Sequence, residues 1–179
     1  MNIHVETDRL ILRDLEPTDA PDIFALDSNP NVHEFLGKKP IQTLAQAEAI
    51  IDLVCSQYQT HGIGRWAMIE KATNNFIGWT GLKYEQNIRP NLAYYDLGYR
   101  LREKYWGCGF ATESAIASLR YGFEQLQLST INAAADVQHV VSNHILQKVG
   151  LKQVDVFEYV GLPHYWYELT QVEWRAGLV

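Results

Sequence analysis

Apolar positions change their period along the chain, and the changes mark its elements. Residues 9–15 alternate, with Leu10 and Leu12 on one face, which predicts a strand. Thr18-Asp19 opens a short helix with Pro21 in its first turn, where a missing N–H costs nothing. Thr43-Leu44-Ala45-Gln46 has the form of a capping box, heading an amphipathic helix that runs to about residue 60 and stops at Gly62. Residues 65–71 and 76–84 read as two strands joined by Thr73-Asn74-Asn75, and residues 92–102 as a longer aromatic strand.

The second half has a different rhythm. Residues 111–127 carry helical spacing (Ala115, Leu119, Phe123, Leu126), and residues 130–135 form a short apolar strand. Val137, Val141, Ile145 and Val149 lie four apart, as one stripe of a second helix that ends at Gly150. Strands at 151–159 and 165–172 complete the chain. An antiparallel meander followed by β-α-β-α-β-β implies a mixed sheet, and an α+β or mixed α/β class. With 179 residues and 47% hydrophobic content, one domain spanning 1–179 is expected.

Charge and cysteines narrow the partners. A net charge of −6 argues against a nucleic-acid binder, which needs a basic surface to neutralise phosphates. No stretch approaches the roughly 20 apolar residues that span a bilayer, and the N-terminus lacks the form of a signal peptide. Cys55 and Cys108 form no CxxC pair and read as free thiols, so a cytoplasmic protein is expected. The six histidines show no metal-ligand spacing, and no metal is expected.

The richest segment runs from Arg100 through Trp106-Gly107-Cys108-Gly109-Phe110-Ala111-Thr112-Glu113: a strand, a loop with two glycines, then a helix. Glycines admit close backbone approach, and the first N–H groups of a helix lack intrahelical partners, so the loop can hold a phosphate. Arg100, Arg102 and Lys104 add positive charge nearby. A tight turn that binds nothing fits the same residues. A P-loop is excluded, because no Gly-Lys-Ser/Thr follows. A dinucleotide fingerprint fits Gly107-x-Gly109 with Asp136 at the end of the next strand, but has Thr112 at its third position and follows an antiparallel half. The pyrophosphate of coenzyme A is the third reading.

Three ordered segments carry a resemblance. Thr7-Asp8-Arg9-Leu10-Ile11-Leu12-Arg13 resembles the opening strand of GNAT acyltransferases of the ribosomal-protein N-acetyltransferase (Rim-like) branch. Residues 105–113 resemble that branch's W-G-x-G-[YF]-A-[TS]-E acetyl-CoA loop, and residues 139–151 its N-x-x-S-x-x-V-L-E-K-x-G-F segment. The resemblance implies a GNAT fold, a mixed seven-stranded sheet splayed near its middle and flanked by about four helices. It implies an acetyl-CoA-dependent N-acetyltransferase acting on an amine acceptor, a small molecule or a protein N-terminus, as a monomer or homodimer. Backbone groups at Leu101 and Arg102 would pair with the pantetheine. Trp106 to Thr112, through the amides of Cys108, Gly109, Phe110, Ala111 and Thr112, would hold the pyrophosphate. His139 stands where the family has Asn, and would donate to the pantetheine in its place.

Transfer needs a base for the amine and a proton for the leaving thiolate. Asp96, amid aromatics and where the resemblance implies an acidic residue just before the splay, is the candidate base; its plain alternative is a strand carboxylate paired with Arg100. By the resemblance, Ser142 is the candidate proton donor, because Leu146 stands where many GNAT enzymes have a helix tyrosine; its alternative is a bond to a carbonyl within its own helix. Two rival functions remain, a GNAT-fold acyl-CoA binder without turnover and a dinucleotide-dependent enzyme.

Overall fold

In the computed structural model, which describes residues 2–177, the first half of the chain is an antiparallel meander. β1 (Ile3–Glu6), β2 (Leu10–Asp14), β3 (Trp66–Glu70), β4 (Asn75–Glu85) and β5 (Tyr94–Leu101) pair in chain order. Between β2 and β3 the chain leaves the sheet as α1 (Ala20–Asp27) and α2 (Leu44–His61). The capping box at Thr43 forms, with Gln46 N–H donating to Thr43 Oγ1 at 3.3 Å, and Gly62 closes α2 at φ 70°. A cap of this kind contributes about 1 kcal/mol to the helix it starts. Ile23, Leu26, Ala47 and Ile51 pack on Ala67, Ile69 and Phe76 to make the smaller of two cores.

The second half supplies α3 (Phe110–Arg120), a π-helical turn at Tyr121–Gln125, β6 (Thr130–Asp136), α4 (Val140–Lys148), β7 (Lys152–Tyr159), β8 (Leu162–Thr170) and α5 (Gln171–Ala176). Eight strands form one mixed sheet in the order β1-β2-β3-β4-β5-β6-β8-β7. β4 and β5 pair over eight residues and β6 and β8 over seven, yet β5 meets β6, in parallel, at the single pair Asp96↔Asn132. Past that pair the two strands part. The sheet is therefore splayed between β5 and β6, closed at Asp96 and open towards Leu101 and Asp136.

Alternation along each strand decides what faces the splay. Leu97 and Leu101 of β5, and Ile131, Ala133 and Ala135 of β6, join Leu119, Phe123 and Leu146 in the larger core under α3 and α4. Asp96, Gly98, Arg100 and Asn132 occupy the alternate positions.

Four boundaries differ from the sequence reading. β1 adds an eighth strand; it is four residues long with Ile3 exposed, so its brief apolar-polar alternation does not mark a strand by itself. The last strand begins earlier, at Leu162, and ends at Thr170. There a second capping box starts α5, with Glu173 N–H donating to Thr170 Oγ1 at 3.3 Å. The long helix stops being α-helical at Arg120. Finally, the apolar stripe faces the core only at its C-terminal end: Val149 is buried and Ile145 packs on the core, but Val141 is 67% exposed, and Asn143 and Leu146 complete the buried face. Hydrogen bonds explain the rotation. Asn143 Nδ2 donates to Asp136 O at 2.9 Å, and Asn143 Oδ1 accepts from Tyr167 Oη at 2.9 Å. A polar pin with both ends satisfied fixes the face of α4.

Candidate active site

At the closed end of the splay, Asp96 is 8% exposed and ion-paired with Arg65, which is equally buried. Arg65 Nη2 donates to Asp96 Oδ2, and its Nη1 donates to the Asp96 carbonyl at 2.6 Å and to Gly81 O. A Cβ on Gly98 would lie 2.6 Å from Arg65 Nη2, so the glycine makes room for the guanidinium. Burial pushes the Asp96 carboxyl above the usual range, against the opposing pull of Arg65 and Lys83. The expected partner Arg100 goes elsewhere. It donates to Asp27 Oδ1 at 2.7 Å and lies over the Trp79 ring.

On the α4 side, the Ser142 hydroxyl lies 3.2 Å from Tyr99 Oη, which also donates to Ser142 O at 3.2 Å. This contact joins β5 to α4 across the splay. Burial raises the Tyr99 hydroxyl above its ordinary range, keeping it neutral. His139 sits at the N-cap of α4 with its ring stacked on Phe35 at 4.5 Å, and burial lowers its pKa. Phe35 belongs to the segment between α1 and α2, so this stack is a second bridge across the opening.

The open end is built from backbone. Gly107 and Gly109 adopt φ of 73° and 82°, a left-handed conformation that favours glycine. Gly109 is the N-cap of α3, whose first backbone bond runs from Glu113 N–H to Gly109 O at 3.1 Å. The amides of Phe110, Ala111 and Thr112 precede that bond and have no intrahelical acceptor. A Cβ on Gly107 would meet nothing within 4 Å, so the space over the loop is open. Such a concave set of donors at a helix N-terminus suits a pyrophosphate.

Two expectations for this end change. Leu101 O already accepts the Trp106 indole N–H at 2.9 Å, and Arg102 N–H donates to Ile77 O at 2.9 Å, so these groups are engaged within the chain. Arg102 Nη2 donates to Asp22 Oδ1 at 2.6 Å, which removes its charge from the loop. Beside it a groove of about 420 Å³ runs past Asn29 and Glu103, whose carboxylate accepts from the amides of Asn29 and Asn31 at 2.9 and 3.0 Å. Of the aromatic residues near the splay, Tyr94 and Trp166 pack edge to face, while Tyr95 and Tyr165 join the main core.

The Acetyltransferase (GNAT) domain family matches residues 9–152, which contain the splay and both of its ends. This chain belongs to the GNAT acetyltransferase family. Within it, the chain is 32% identical over 152 residues to the uncharacterized N-acetyltransferase YoaA of Bacillus subtilis, covering 85% of this chain and 84% of that protein. Spermidine N-acetyltransferase from Vibrio cholerae, solved with CoA and spermine, superposes with a TM-score of 0.76 at 19% identity, over 94% and 99% of the two chains. Ribosomal-protein-S5-alanine acetyltransferase from Vibrio fischeri gives 0.74 at 16% identity, over 95% and 97%. These two likenesses are of fold.

The GNAT fold thus gathers Asp96, Tyr99 and Ser142 at one splay and the loop from Trp106 to Thr112 at its mouth. Arg65, Tyr99, Phe35 and Asn143 went unread in the sequence. Arg65 left a faint signal, a charge directly before the apolar strand Trp66–Glu70. Among the described residues no helix is long and apolar enough to cross a membrane, and no group of three or more His, Cys, Asp or Glu could hold a metal ion.

Proposed function

We propose that this GNAT protein transfers the acetyl group of acetyl-CoA directly to a primary amine, a protein N-terminus or a small amine, as a Rim-like enzyme. The observation that carries the reading is the single β5–β6 pair at Asp96↔Asn132 with a left-handed glycine loop at the mouth of the gap. A pantetheine arm is the length and shape of ligand that such a gap between strands admits. The amides of Cys108 to Thr112 would take the pyrophosphate. The groups of Leu101 and Arg102 not already bonded, together with His139, would meet the arm.

Chemistry would fall at the closed end. Asp96 keeps Oδ1 for the amine proton while Arg65 holds Oδ2, and its raised pKa moves it towards that of an efficient base near neutrality. As the amine nitrogen bonds to the carbonyl carbon, a backbone N–H of the splayed strand stabilises the oxyanion. The C–S bond then breaks, and Ser142 gives the thiolate its proton. The buried hydroxyl of Tyr94, which has no partner among the described residues, and the neighbouring Trp166 mark the face from which the acceptor would come.

Thiol release from acetyl-CoA, measured with a panel of small amines and short peptides with free N-termini, tests the proposal. Saturable turnover with at least one amine is expected. Tight acetyl-CoA binding without turnover on any amine would overturn it.

A further inference from the structure

We propose that Arg9 is a positioning residue that orients the phosphate-binding amide of Gly109, an inference that rests on the coenzyme A reading above. Arg9 stands just before β2, a hundred residues from the loop in sequence and in direct contact with it. Its Nη1 donates to Cys108 O at 2.9 Å. Its Nε donates to Glu113 Oε2 at 2.6 Å, and its Nη2 lies 2.6 Å from the same oxygen. The Phe110 ring lies beneath the guanidinium, 4.4 Å to its centroid. Glu113 is gripped in turn by Thr7 Oγ1 at 2.5 Å and by Arg9 N–H at 3.2 Å. Burial opposes its charge, but these bonds outweigh burial and hold the Glu113 carboxyl below the usual range. The guanidinium is therefore fixed at both edges and on one face.

The consequence follows from peptide geometry. In a planar trans peptide the C=O and the next N–H point to opposite sides. Anchoring Cys108 O on Arg9 turns Gly109 N–H away from Arg9, towards the open side of the loop. Glycines flank Cys108 on both sides at positive φ, so this peptide has little stiffness of its own and would flip readily without an anchor. Because Glu113 balances the charge of Arg9, the arginine acts on phosphate through the amide it orients and not as a direct ligand.

The test compares two donors with one amine: acetyl-CoA, and acetyl-pantetheine, which lacks the pyrophosphate. Arg9→Ala should lower kcat/KM for acetyl-CoA about tenfold, the order of one charge-assisted hydrogen bond, through KM. The value for acetyl-pantetheine should stay within about twofold. Arg9→Lys, which can still reach the Cys108 carbonyl, should restore part of the loss, and it carries the measurement should Arg9→Ala fail to fold. Equal losses with both donors would make Arg9 a general support of the fold and overturn the inference, as would no loss with either. A wild-type enzyme that does not prefer acetyl-CoA to acetyl-pantetheine would instead remove the loop as a phosphate site, and the reading beneath the inference with it.

Discussion

The two ends of the splay use opposite materials. In the mechanism proposed above the working groups are side chains tied to distant partners: buried Asp96 to Arg65 at the closed end, and half-buried Tyr99 to Ser142 across the splay. At the open end, on the same proposal, they are backbone amides in an exposed glycine loop, and side chains such as Arg9 hold that backbone in place. The difference matches the chemistry each end faces. A reacting amine needs a group whose proton affinity can be tuned, and burial beside a charge does that. A pyrophosphate needs several fixed donors, and a helix N-terminus presents them without adding a side chain to the space the phosphate fills. The two ends should therefore fail differently when altered.

The largest expected failure is at the closed end. Asp96→Asn should cut turnover by roughly 10²–10⁴-fold while the acetyl-CoA dissociation constant, read by calorimetry, stays within about twofold. Only ionised Asp96 accepts a proton, and burial raises its pKa, so the acidic limb of the wild-type rate profile should lie above the ordinary Asp value of about 3.9. The variant should lose that limb. Because Asp96→Asn also leaves the charge of Arg65 uncompensated, Arg65→Gln is the necessary companion: matching rate losses would reduce Asp96 to a structural partner.

Next in size is a loss of stability. Arg65→Met leaves a carboxylate buried without its cation, and a loss on the order of 3–5 kcal/mol in urea unfolding is expected. An unchanged midpoint would mean that water reaches Asp96 freely. Smaller still, Ser142→Ala and Tyr99→Phe should each slow turnover less than about tenfold, since water can replace a hydroxyl as proton donor. A greater loss would show that the pair does more than supply one proton.

The smallest effect concerns His33, on the segment between α1 and α2 that also carries Phe35. It is buried, with its Nε2 3.9 Å from Asp27 Oδ1. Burial lowers its pKa, and the charge of Arg100 lowers it further. With the folded value below the unfolded one of about 6.5, the unfolded chain binds protons first, so stability is lost as pH falls below that value. His33→Phe should flatten the slope of thermal stability between pH 7 and 5 and leave turnover at neutral pH alone. An unaltered slope would assign the acid sensitivity to other groups.

The same contrast explains what could be read in advance. The geometry of the open end was legible, because a glycine loop before a helix is a local pattern of backbone. Its clamp was not, because nothing in the spacing of Arg9 and Glu113 brings them together before β2 lies against α3. At the closed end Asp96 was named from the family resemblance and its aromatic neighbours, but its partner was not: Arg100 is two residues beyond Gly98 on the same strand, yet it is drawn to Asp27, while Arg65 arrives from the segment before β3. The apolar stripe through α4 held at Ile145 and Val149 and failed at Val141 for a similar reason. Asn143, whose partners lie on β6 and β8, decides which face is buried. Of the fold, the capping box of α2 and the succession of strands and helices from β2 to β8 were legible, while β1 and α5 were too short to compete with their neighbours.

Amide hydrogen exchange with and without acetyl-CoA tests the division between the two ends most directly. The account predicts slowed exchange at residues 107–112 and along the splayed edge of β5, with the amides of β1 and β7 unchanged. Protection that leaves 107–112 exchanging at the free rate would contradict it, because the donor's phosphates would then have to be held somewhere other than the glycine loop.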